Sequence, residues 1–245
     1  MWHALHTGLL AAIVASGVQA ASLNACYERW EPYAYQSGSK HGGAAIETVN
    51  LVMSRLGHTV RYQEVPFNRC VYLLSNAKVE MGLFITEEPG HPFVYSQVPL
   101  AFWLLAAVVH RDSKITHFEG LQTFKGARVA TVRGYRYTLP ELEQMQQDEA
   151  TDAVSSLRKL DAKRVDVMFE DYLWSTMTAN RRALNVRALL PLVKVSPEVT
   201  GFHDEQLELR NAFDSVLREL IKSGEVDAIY RRHFDHSYRE ISTMR

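Results

Sequence analysis

Trp30-Glu31-Pro32-Tyr33 is the segment of this 245-residue chain whose side chains are best suited to hold a small molecule. Two rings supply stacking area at low conformational cost, and the proline stiffens the turn that carries them. Cys26 lies just upstream. Cys70 follows Arg69 in Pro66-Phe67-Asn68-Arg69-Cys70, where a neighbouring cation could activate a free thiol. His233 and His236 have HxxH spacing near the chain end but lack further ligands in metal-binding order, so a polar tail is expected there and no metal site. No GxSxG nucleophile turn, dinucleotide GxGxxG or phosphate-cradling GxxxxGK is present. The residues offer binding chemistry and call for no cofactor.

Composition narrows the class. With 47% apolar and 22% charged residues the chain can build one large core or two modest ones. The formal net charge is −1 and the basic residues are scattered, which leaves no footprint for nucleic acid. Leu9–Val18 is an apolar stretch too short to span a bilayer, and Val18-Gln19-Ala20 has the small-x-small form of a signal-peptidase site. Residues 1–20 therefore read as a cleavable signal peptide, which directs the chain to the periplasm.

The elements that position the turn alternate between strand and helix. Ser22–Tyr27 opens as a strand and Ala44–Leu56 has helical apolar spacing stopped by Gly57. Thr59–Tyr62 is a second strand, Phe67 begins a helix, and Val79–Ile85 is a third strand. Leu100–Val109 is a continuous apolar run of the kind that makes a buried strand. A second set follows: strand Ala127–Val132, helix Tyr135–Gln147, helix Ala153–Leu160, strand Arg164–Phe169 and helix Asp171–Asn180. A long helix ends at Gly224, and the polar tail from Asp235 is expected to fray. Such alternation predicts sheets covered by helices, with binding at the carboxyl ends of strands. Cys26 ends the first strand and Cys70 lies in the first turn of a helix, so they can be neighbours: one disulfide, or two buried thiols.

Six segments, in this order, carry a resemblance: "GGAAIETVNLVMSRLG", "VPFNRCVYLLSNAKVE", "FVYSQVPL", "FKGARVATVRGY", "RVDVMFEDY" and "GFHDEQLELRNAFDSVLRELIKSGEVDAIYRRHF", all after Trp30-Glu-Pro-Tyr33. The chain resembles the bacterial extracellular solute-binding proteins of family 3, the amino-acid type of periplasmic receptor for ABC importers. The resemblance implies an α/β periplasmic binding protein type II fold, two lobes joined by two crossing strands with the ligand cleft between them. Lobe 1 would be residues 21–107 plus 202–245 and lobe 2 residues 108–201.

It also implies a site. Trp30 and Phe67 match the family's sandwiching aromatics, and Asp171 matches its ammonium-binding acid, with Glu170 expected to point elsewhere. The family usually sets an arginine before its F-x-Y-S strand to clamp a carboxylate, but no Arg lies between Arg69 and Arg111 here. That departure argues against an ordinary α-amino acid. Arg69, Tyr135 and Arg136 are the candidate substitutes. The function implied is capture of a small polar solute by a monomer that delivers it to an ABC transporter permease. Two alternatives stand beside it: a receptor feeding a membrane sensor, and a cyclohexadienyl dehydratase-like enzyme on the same fold.

Overall fold

The computed structural model describes residues 22–85, 90–135 and 137–245. The expected signal peptide, residues 1–20, and Arg136 lie outside the described residues. Strand β1 (Ser22–Tyr27) leads into the aromatic turn and a hairpin of β2 (Tyr35–Ser37) and β3 (Lys40–Gly42). Helix α1 (Ala44–Arg55), strand β4 (Thr59–Glu64), helix α2 (Phe67–Ser75) and strand β5 (Met81–Leu83) follow. Strands β6 (Phe93–Tyr95) and β7 (Ala101–His110) precede β8 (Arg128–Val132) and β9 (Gln146–Ala150). Helix α3 (Ala153–Asp161), strand β10 (Val167–Asp171) and helix α4 (Tyr172–Arg182) come next, then β11 (Val186–Ala188), β12 (Lys194–Glu198) and β13 (Thr200–His203). Helices α5 (Leu207–Ser223), α6 (Glu225–His233) and α7 (Tyr238–Ser242) close the chain.

These strands build two sheets. The first has the order β4-β1-β5-β13-β6, with β1 parallel to β4 and β5 and with β13 antiparallel to both neighbours. The second has the order β11-β7-β10-β8-β9, and β12 pairs with the first half of β7, from Lys194 opposite Leu105 to Glu198 opposite Ala101. The chain leaves the first sheet after β6 and returns to it at β13. β7 and β12 are therefore the two antiparallel strands that join the halves.

Apolar periodicity decides which faces are covered. Helix α1 buries Ala45, Val49, Val52 and Met53 against the first sheet, beside Phe213 and Leu217 of α5 and Ile229 of α6. Helix α2 covers the opposite face with Leu73 and Leu74. There Cys26 and Cys70 are joined by a disulfide, with Cα atoms 5.4 Å apart and a sequence separation of 44. In the second sheet, Leu105, Ala107 and Val109 of β7 pack on one side with Phe169, while Val108 packs on the other with Leu157 and Leu160 of α3. At roughly 25 cal/mol per Å² of apolar area removed from water, this continuous burial is the main stabilising term in each half.

Two segments differ from the sequence expectation. Among the described residues, the expected helix Tyr135–Gln147 is not an α-helix: a 3-10 turn spans Pro140–Gln144, and Gln146–Ala150 is the edge strand β9, paired in parallel with β8. Exposed Gln and acidic residues suit an edge that must not recruit another chain, and they hide its strand character. The tail is ordered as well. Ser237 and Glu240 form a capping box on α7, and Tyr238 and Ile241 are buried. Among the described residues, no helix is long and apolar enough to cross a membrane.

Candidate functional site

The aromatic turn is fixed by its own backbone. The Trp30 amide donates to the Ala34 carbonyl at 2.9 Å, and the Tyr33 and Ala34 amides both donate back to the Trp30 carbonyl. The Pro32 and Tyr33 carbonyls take the Ala44 and Ala45 amides at 3.1 and 2.9 Å, tying the turn to the first turn of α1. This close approach requires Gly43, whose φ is 113° and where a Cβ would stand 2.4 Å from the Tyr33 oxygen. Trp30 packs on Tyr33, with ring centroids 4.2 Å apart, and meets the edge of Phe84 at 4.9 Å. Phe84 sits just past β5 in the left-handed region at φ 60°, a strained conformation for a residue with a bulky side chain.

Trp30 and Phe84 face a cavity of about 110 Å³ between the two sheets. From the first half it is lined by Glu28, Trp30, Phe67, Leu83 and Phe84. From the second it is lined by Gly134, Tyr135 and Glu170, and Trp103 and Glu198 line it from the joining strands β7 and β12. Both halves thus contribute rings and carboxyls to one space. Gly134, at φ 86°, allows the turn after β8 to approach α2, and a Cβ there would lie 2.9 Å from the Asn68 side-chain nitrogen. At the rim, Arg181 of α4 pairs with Glu31, which also pairs with Arg29.

The electrostatics of the lining are one-sided. Burial pushes the Glu28 carboxyl up to about 7, although the Phe67 amide and Tyr135 hydroxyl beside it favour its charged form. Burial raises Glu170 to about 8; its own backbone contact at Asp171 and the nearby Trp103 indole oppose that rise, while the acids Asp171 and Glu28 add to it. Glu198 is also raised to about 8, by burial and then by Asp171, with Lys194 acting the other way. Glu170 is 4% exposed: its Oε1 accepts the Asp171 amide at 2.8 Å, and no donor reaches Oε2 in hydrogen-bonding geometry. No Lys, Arg or His is among the described lining residues.

Residues 23–236 match the family model of bacterial extracellular solute-binding proteins, family 3. The chain belongs to that family. Among solved structures it is similar to the arginine third transport system periplasmic binding protein of Legionella pneumophila. That match has 19% identity over 88% of this chain and 100% of the other, with a TM-score of 0.75. It is similar to a structure from glutathione import via GshT and the cystine ABC importer TcyBC of Streptococcus mutans (20% identity, 89% and 97% coverage, TM-score 0.77). A histidine kinase sensor domain with similarity to periplasmic binding proteins is equally close in shape, at 17% identity, 90% and 99% coverage and TM-score 0.77. No curated protein matches in sequence. At these identities the likeness shows the fold: the type II arrangement of two α/β lobes around a cleft.

Within this family 3 protein the sequence-predicted residues separate. Trp30, Phe67 and Tyr135 line the cavity together. Arg69 does not: it is exposed on α2 with its guanidinium 4.9 Å from the Tyr72 ring centroid, because two residues beyond Phe67 a helix has turned through roughly 200°. Asp171 is fully buried and outside the lining. Its carboxylate accepts the Leu104 amide at 3.0 Å and the Trp174 amide at 2.8 Å, so it caps α4 and ties it to β7. The carboxyl that faces the cavity is Glu170, the reverse of the expected assignment. Arg136 lies outside the described residues. Glu28, Trp103 and Glu198 were not anticipated. Glu28 follows β1 and Glu170 lies near the end of β10, so their place at carboxyl ends of strands was the available signal. Trp103 was hidden inside the apolar run of β7.

Proposed function

We propose that the protein is an exported receptor that captures a small polar solute between lobe 1 (residues 21–107 plus 202–245) and lobe 2 (residues 108–201). The carrying observation is the shared cavity, to which each half brings aromatic surface and at least one carboxyl. Burying such rings against a ligand contributes about 2 kcal/mol each, a sizeable part of the roughly 8 kcal/mol of a micromolar complex. Closure of the halves about β7 and β12 would then present the loaded form to a membrane partner. As a monomer, the protein would deliver its solute to the permease of an ABC importer. The similarity to a histidine kinase sensor domain favours a second reading, in which the partner is a membrane sensor.

A thermal-shift panel of amino acids, amines and organic acids tests the reading. At least one compound should raise the melting temperature in a concentration-dependent way. If none does, and purified protein turns over prephenate, the same carboxyls serve an enzyme instead.

A further inference from the structure

We propose that the cleft selects an organic cation, an amine or guanidinium compound without a free carboxylate, which Glu170, Glu28 and Glu198 hold by charge and Trp30, Phe67 and Trp103 enclose with their rings. This deepens the receptor reading and rests on it.

Three observations carry it. First, the cavity brings three carboxyls together from three separate strand ends, and none of them has an ion-pair partner among the described residues. Second, Glu170 is more than nine-tenths buried and lines the cavity, and although the Trp103 indole lies beside its carboxyl, no donor meets Oε2 in hydrogen-bonding geometry. A buried carboxylate oxygen with no partner is costly unless a ligand supplies the hydrogen bond, and a charged N–H donor supplies the strongest one. Third, five of the seven other lining residues are aromatic, and the faces of indole and phenyl rings attract cations and repel anions. Burial raises all three carboxyls, so an arriving cation would also draw off their protons and strengthen its own site. The acids do not converge as metal ligands: among the described residues no group of three or more His, Cys, Asp or Glu could hold a metal ion. An α-carboxylate, in contrast, would enter beside three acids with no described cation to meet it.

Calorimetric titration with ligand pairs that differ by a carboxylate separates the possibilities: agmatine and arginine, putrescine and ornithine, tetramethylammonium and glycine betaine. Glutarate serves as the anion and glutamine as a neutral amino acid. At about pH 9, where the cleft acids are charged, at least one carboxylate-free cation should bind about tenfold or more tightly than its carboxylated partner. Glu170→Gln should weaken that binding about tenfold or more with an unchanged unfolding transition, and Glu198→Gln should weaken it independently. Binding confined to the carboxylated or neutral compounds overturns the cation assignment and leaves the receptor reading in place. Cation binding that Glu170→Gln and Glu198→Gln leave untouched overturns it too. Binding of nothing in the panel overturns both.

Discussion

Glu170 and Asp171 are consecutive on β10, yet their carboxylates do different work. Asp171 is satisfied by two backbone amides from β7 and α4, whereas Glu170 lines the cleft and its Oε2 is buried without a hydrogen-bond donor. One acid holds the framework and its neighbour is available to a ligand.

Opposite mutational outcomes follow. Glu170→Gln should leave stability within about 1 kcal/mol of the parent at neutral pH, because burial already holds the acid largely protonated and the amide replaces a neutral group of the same shape. It should weaken cation binding about tenfold or more. Asp171→Ala should cost about 2 kcal/mol or more in chemical denaturation, since it strips a helix cap and leaves the Leu104 amide without its acceptor. The protein that remains folded should still bind. Equal loss of binding at both positions would contradict this division.

The pH dependence has a defined sign. Glu28, Glu170 and Glu198 titrate near 4.5 when unperturbed and are raised to about 7, 8 and 8 in the fold. The folded chain therefore holds these protons more tightly than the unfolded one. The resulting stabilisation is complete below the unfolded value and is lost as pH rises through the folded values. The groups facing them include Asp171, itself raised to about 7, and Lys194, which acts in the opposite direction on Glu198. The ligand-free melting temperature should fall from about pH 5 to about pH 9, while agmatine affinity rises over the same span. Melting curves and titrations in matched buffers check both trends.

Arg181 and Glu31 join α4 of the second half to the aromatic turn of the first. Arg181 is 60% exposed, so the pair contributes little to folding, at most about 1 kcal/mol. If it favours the closed cleft, Arg181→Ala should leave the melting temperature nearly unchanged and weaken solute affinity by about two- to fivefold. Raising salt should weaken affinity more in the parent than in the variant, because screening of the cleft acids is common to both and only the parent also loses the Arg181–Glu31 pair.

The Cys26–Cys70 bond ties β1 to the first turn of α2, below Phe67. Closing a loop of this length restricts the unfolded chain by about 4 kcal/mol in the entropic account. Cys70→Ser should therefore lower unfolding free energy by about 2–4 kcal/mol, measured by denaturant titration against the oxidised parent.

Much of the framework was legible because each strong pattern had a single reading. The apolar run Leu100–Val109 is the long strand β7, and the Ala45-Val49-Val52-Met53 spacing is the inner face of α1. Trp30 was readable as a cleft residue from the turn that carries it, and Phe67 from the family resemblance; both line the cavity. The acids were not, because strand phase decides which of two adjacent carboxyls faces a cavity. The end of β10 lies two residues beyond its expected position, which reassigned Asp171 to the cap and Glu170 to the cleft. Edge strand β9 was missed since its residues are chosen for exposure and not for burial.

The account stands on a solute seated between the two sheets against Trp30 and Trp103. Intrinsic tryptophan fluorescence, titrated with the tightest-binding amine in the parent and in Trp30→Phe and Trp103→Phe, tests this directly. A solute seated in the cleft should give a saturable single-site change in the parent that shrinks in each variant. A solute that binds by calorimetry but leaves the fluorescence of all three proteins unchanged would sit elsewhere and contradict it.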